Sequence, residues 1–80
     1  MKSIHGDAGS QLLRIFRQHG VTGAVREVCR GQDDEAIFIV NPVDAAYMRE
    51  RELTVALKNQ LGRRVWIATD QSHWKRTELL

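Results

Sequence analysis

Apolar and polar positions follow different periods in successive parts of this chain. Leu12, Ile15 and Phe16 recur at the i, i+3, i+4 spacing, with Arg14, Arg17 and Gln18 pointing elsewhere, which predicts an amphipathic helix. Ser10 is placed to cap that helix and Gly20 to end it in a left-handed C′ conformation. Residues 1–9 carry little apolar content and read as a flexible lead-in. The β-branched segment Ala24–Arg30 predicts a strand. Polar turn chemistry at Gly31-Gln32-Asp33-Asp34 then leads into the run Ala36-Ile37-Phe38-Ile39-Val40. The two strands are expected to form a hairpin. Five consecutive apolar residues predict a central strand covered on both faces.

Asn41-Pro42 marks the next helix start: Asn accepts from free backbone N–H groups, and Pro suits the first helical position because it lacks a donor there. Asp44 complements the positive end of the helix dipole. Val43, Ala46 and Tyr47 form its expected apolar face. Continuing that phase turns Glu50 and Thr54 inward, whereas Leu53, Leu57 and Leu61 restart the stripe on a shifted face. The mismatch predicts two short helices meeting near Met48 to Glu52, or one bent helix. Gly62 closes the second, and Val65 and Ile67 alternate with Arg64, Trp66 and Ala68 on a last strand over Arg63–Thr69. Asp70 to Leu80 reads as a polar tail.

The expected architecture is a single small α+β domain over residues 10–80, in the order α-β-β-α-α-β, with a three-stranded sheet packed on helices. That order resembles the type II KH fold, which binds single-stranded nucleic acid. Its usual sign is a GXXG loop between the paired helices, where absent side chains let the backbone approach phosphates. Here that position reads Met48-Arg49-Glu50-Arg51, without glycine. A GXXG does occur at Gly20-Val21-Thr22-Gly23, but between a helix and a strand, as a C-cap glycine and a loop glycine would.

Composition narrows the class. At 80 residues there is room for one core. An apolar fraction of 42% with 28% charged residues is ordinary for a soluble globular chain. The lone cysteine, Cys29, allows no intrachain disulfide and no cysteine-based zinc cage, so a reducing cytoplasm fits best. The start of the chain lacks a signal-peptide apolar stretch, and no segment has the length to span a bilayer. The net charge of +2 argues for no partner by itself, but its distribution is uneven. Acids concentrate at Glu27, Asp33, Asp34, Glu35 and Asp44; bases follow at Arg49, Arg51, Lys58, Arg63 and Arg64. This is either a solvated face with local ion pairs or a basic end on which a polyanion docks.

Catalytic and metal chemistry is not written in the sequence. His5, His19, Cys29 and His73 lack the spacing that sets two ligands on one helix face. Asp33-Asp34-Glu35 has no calcium-loop spacing, and no Walker loop, dinucleotide fingerprint or nucleophile elbow occurs. No cofactor is expected. Trp66, on a strand beside Val65 and Ile67, must point off the main core face, which makes it the better interface candidate of the two tryptophans.

Ser10, Leu13, Ile15, Phe16 and Arg17, then Ala36 to Val40 with Pro42, Ala45, Ala46, Tyr47 and Met48, then Leu53, Leu57, Leu61, Gly62, Val65, Ile67, Asp70 and His73, together resemble the small C-terminal domain of the ribonuclease E/ribonuclease G family. The likeness covers nearly the whole chain from Ser10 onward. In that family a CPxC zinc-link precedes this domain and a separate domain supplies the magnesium-binding aspartates; neither is in this sequence. The resemblance implies a detached module or a piece of a larger protein, acting in RNA binding or in organising oligomers without cleaving strands. The expected partners are single-stranded RNA, bound at low specificity through Arg49, Arg51, Lys58, Arg63 and Arg64, and a second copy or a larger ribonuclease assembly. The alternative is a protein–protein interaction or homodimerisation domain that binds no nucleic acid.

Overall fold

The computed structural model describes residues 4–29 and 34–80. Helix α1 (Ile4–Gln18) leads to strands β1 (Arg26–Val28) and β2 (Glu35–Ile39), then to helices α2 (Pro42–Tyr47) and α3 (Glu50–Leu61), strand β3 (Arg64–Ala68), a 3₁₀ turn (Gln71–His73) and strand β4 (Thr77–Leu79). The α+β class is as expected, but the chain does not stop at the expected six elements: a 3₁₀ turn and a fourth strand follow β3. The helix begins before Ser10, however, so Ser10 lies inside α1 and is not its cap. The expected turn at Gly31 to Asp33, and the end of the first strand at Arg30, lie outside the described residues.

The sheet has four strands, not three, in the order β3-β2-β1-β4. β1 and β2 pair antiparallel, with Arg26 opposite Ile39, as the hairpin reading requires. β2 and β3 run parallel, with Glu35 beside Arg64 and Ile39 beside Ala68. The extra strand comes from the segment read as a polar tail: Thr77–Leu79 lies antiparallel on the outer edge of β1. Cys29 N donates to Arg76 O and Leu80 N to Val25 O, both at 2.9 Å. The physical reason is an edge: a three-stranded sheet would leave β1 with a row of unpaired N–H and C=O groups.

Each face of the sheet has its own cover. Ala36, Phe38 and Val40 of β2 and Val65 of β3 meet Leu12 and Phe16 of α1 and Leu53 and Leu57 of α3. Phe16 and Phe38, both fully buried, meet edge-to-face with ring centroids 5.3 Å apart. On the opposite, helix-free face, Ile37, Ile39 and Val28 form a second cluster, packed by Ala68 and Trp74. The tail's tryptophan therefore caps apolar residues that the helices cannot reach.

The helix pair forms as two helices meeting at Met48-Arg49. Asn41 Oδ1 accepts from Asp44 N at 2.8 Å with Pro42 at the first helical position. Gly62 closes α3 in the left-handed region, φ 69°. The expected inward face of α2 is wrong, however. Val43 is 68% exposed and Tyr47 79%, while Asp44 is buried at 6%. Asp44 turns inward because its carboxylate has a set of donors to meet. Oδ2 accepts from Gly23 N at 2.8 Å and Asn41 Nδ2 at 2.9 Å; Oδ1 accepts from Thr22 N and Oγ1 at 3.3 and 3.2 Å. Those bonds hold its carboxyl below the usual carboxylate value, Gly23 N–H first among them. The Gly20-Val21-Thr22-Gly23 loop is thus held by an internal carboxylate, where a GXXG loop of the KH kind would approach a phosphate.

Among the described residues no helix is long and apolar enough to cross a membrane.

Candidate nucleic-acid interface

The five predicted bases do not border one groove. Arg49, between α2 and α3, is committed to the fold: its guanidinium bonds Gln18 O and its backbone N bonds His19 O at 2.9 Å. Arg51 and Lys58 share an exposed face of α3 and line a shallow groove with Glu50, Thr54 and Val55. Arg63 and Arg64 follow the other end of α3. The twelve residues of α3 span about 18 Å at 1.5 Å per residue, so the helix junction and the start of β3 lie well apart. Arg63 is half-buried and acts on Glu27, whose carboxyl is pushed up first by burial, then eased down by Arg63 and pushed up again by Glu78. Arg64 is exposed and stands on the helix-free side of β3, two residues from Trp66.

Trp66 points away from the helices, as its strand parity required, and is 53% exposed. Its register partner Ile37 belongs to the second apolar cluster, so the indole lies at the border of that cluster, on the face that the helices do not cover.

A basic basin that sequence reasoning missed lies where β4 joins β1, beside the helix-free face. Arg26, opposite Ile39 in the β1–β2 ladder, meets Trp74, Lys75 and Arg76 around an open depression also lined by Cys29, Ser72, Thr77 and Glu78. Three cations there face one carboxylate. Arg26 is oriented by a 2.8 Å bond from Nε to Thr77 Oγ1, and Trp74 is steadied by an edge-to-face contact with His73. The available signal was the run Trp74-Lys75-Arg76, an aromatic beside two bases. What linked it to Arg26, about fifty positions earlier, was a strand pairing that local sequence does not announce.

The exposed Cys29 thiol is raised above its ordinary value by desolvation first, then by the Glu78 and Glu27 carboxylates, and a protonated thiol is a poor nucleophile. Glu27 and Glu78 face each other across the β1–β4 ladder, one of them lifted by its surroundings. Among the described residues no group of three or more His, Cys, Asp or Glu could hold a metal ion. What this part of the sheet offers is an exposed indole, a half-buried one, an oriented Arg26 and two exposed bases, Lys75 and Arg76, groups that suit stacking and phosphate contact. No family model, curated protein or solved structure matches the chain.

Proposed function

We propose that this chain is a non-catalytic module that holds single-stranded RNA along the helix-free face of its sheet. The observation that carries the reading is Trp66, half-exposed beside Arg64 on a face that continues to Trp74, Lys75, Arg76 and Arg26. A base can stack on an indole whatever its sequence, and guanidinium and ammonium groups hold the backbone. The surface differs from the basic end read from the sequence; of that set, Arg64 is retained on this face. The α-β-β-α-α-β order that precedes β4 supports kinship with type II KH folds. Without a glycine at Met48-Arg49 the phosphate grip falls to side chains, so affinity is modest and base specificity low. The resemblance to the small domain of ribonuclease E and G favours RNA over DNA and a cytoplasmic setting.

The test is fluorescence anisotropy with a labelled single-stranded RNA at two or more salt concentrations, followed in parallel by tryptophan quenching. Three phosphates contacted give a slope of log affinity against log salt of roughly −2. Lys75→Ala with Arg76→Ala is expected to weaken binding and flatten that slope, whereas Arg51→Ala with Lys58→Ala leaves both nearly unchanged. The reverse result returns the site to α3. No binding at low salt rejects the nucleic-acid reading. Self-association is then the second reading, favoured by the position of Trp66 on an edge strand.

A further inference from the structure

We infer that β3 is an edge built for a second copy of this chain, pairing antiparallel about Trp66 to give one continuous eight-stranded sheet. The inference deepens the self-association reading by naming the edge and the register, and it stands without the nucleic-acid reading.

The backbone of β3 fixes which groups are free. Arg64 N bonds Asp34 O, and Ala68 O accepts from Val40 N. Both Arg64 and Ala68 therefore turn their peptide groups toward β2, and Trp66, with the same parity, does so too. Val65 and Ile67 must turn theirs outward, and β3 is the end strand of the sheet, so no described strand lies beyond them. Edge strands are normally blunted by proline, bulges, inward charges or short length. β3 has five residues in unbroken register with β2 and the core sequence Val-Trp-Ile. The opposite edge, β4, has three residues with Glu78 at its centre. Of the two edges, β3 is the adhesive one.

The strand is complementary to itself in one register. Outward groups must meet outward groups, so Val65 can face Val65, Ile67 can face Ile67, or Val65 can face Ile67. The third choice is centred on Trp66. It sets Val65 against Ile67 of the second copy and the reverse, with about four ladder bonds formed around the two-fold axis. Arg64 then faces Ala68, and Arg63 faces Thr69 with Asp70 next in line. Bases therefore meet neutral or acidic positions and not one another. The register centred on Val65 would instead bring Arg64 opposite Trp66 and Arg63 opposite Ile67. In the register centred on Trp66 the two indoles become directly opposed residues of a narrow pair, on the face that the helices leave open. Such aromatic anchors carry a large share of binding energy at the centre of interfaces.

The experiment uses the full chain. Light scattering at high micromolar concentration is expected to give twice the monomer mass, and Trp66→Lys, which puts like charges on the axis, to raise the dissociation constant at least about 30-fold with an unchanged circular dichroism spectrum. Trp66→Cys in a Cys29→Ser background decides the register. Cα atoms of a narrow antiparallel pair lie about 4.5 Å apart, within the span a disulfide needs, so mild oxidation should cross-link two chains through position 66. Leu79→Cys, on the opposite edge and 60% exposed, should not cross-link. A dimer that fails to cross-link at position 66, or that cross-links at 79 as readily, overturns the assignment of edge and register. A monomeric wild-type chain overturns both that assignment and the self-association reading, while RNA binding, measured separately, is untouched by either outcome.

Discussion

Replacing Gly23 by alanine should destabilise the domain although its backbone can accept a side chain. Among the described residues, positive φ occurs only at Gly20 and Gly62, so Gly23 carries no left-handed strain. What forbids alanine is space. A Cβ at Gly23 would collide with Asn41 Nδ2 and lie 2.8 Å from Asp44 Oδ2. Both atoms belong to the network that starts α2. Pushing Asn41 away sacrifices a side-chain cap, about 1 kcal/mol. Shifting the carboxylate weakens the bond from Gly23 N, and a half-buried donor left without its acceptor costs about 1–1.5 kcal/mol. Restricting the unfolded chain returns roughly 0.7 kcal/mol, so the expected net loss is about 1.3–1.8 kcal/mol. For a domain of this size that lowers the melting temperature by roughly 5–14 °C. Thermal unfolding followed by circular dichroism reads it directly. Gly9→Ala is the matched control: Gly9 lies within α1, a Cβ there meets nothing within 4 Å, and the helix should gain about 0.5–1 kcal/mol. A Gly23→Ala protein within about 0.5 kcal/mol of wild type would refute the reasoning, because it would mean that the Asn41–Asp44 network moves aside without loss.

Two carboxylates should respond to pH with opposite signs. Asp44 is held below its ordinary value of 3.8, so the stability it contributes is present above that value and is lost as pH falls through its folded value; Asp44→Asn should flatten the acid side of a urea-midpoint profile. Glu27 is raised above 4.5 by burial first, so the folded state binds its proton more tightly and stability falls as pH rises through that window. Glu27→Gln should therefore increase the urea midpoint at neutral pH, and a decrease would contradict the assignment. Trp74→Ala should uncover Val28, Ile37 and Ile39 and cost about 2 kcal/mol, less than a fully buried tryptophan; binding of a hydrophobic dye with little loss of helix signal would mark the exposed face, and unchanged stability would show that Trp74 is not its cover.

Local signals made much of the fold legible. Asn41-Pro42, Gly20, Gly62 and the leucine spacing of α3 each specify backbone geometry through nearest neighbours, and each sits where the sequence placed it. The apolar run of β2 announced that both of its faces are covered, but not what covers the second. Trp74 does so from more than thirty positions away, and β4 becomes a strand only because β1 offers it an edge. The apolar face of α2 was misjudged for a related reason. Val43 and Tyr47 are more hydrophobic than Asp44, yet a carboxylate that receives two backbone N–H groups, a hydroxyl and an amide is satisfied where it is buried. Periodicity weighs side chains one at a time and cannot see those donors on a distant loop.

The candidate site was less legible, because charges close in sequence are set apart in space by the length of α3. The cations at Arg49 and Arg63 proved to be tied to Gln18 and to act on Glu27, which leaves them less free for a ligand than their charge suggests. Arg26 lies far along the chain from Lys75 and Arg76, and the β1–β4 ladder brings them together. The two readings of Trp66 follow from the same arithmetic of strand parity. Its peptide group points to β2 and its indole points off the helices, so edge pairing uses the free groups of Val65 and Ile67 and leaves the indole on the open face. Antiparallel pairing keeps both copies' indoles on that one face, with a basic basin toward each outer edge. Self-association would in that case extend an RNA platform across the axis, with the paired Trp66 indoles shared between the interface and a stacked base.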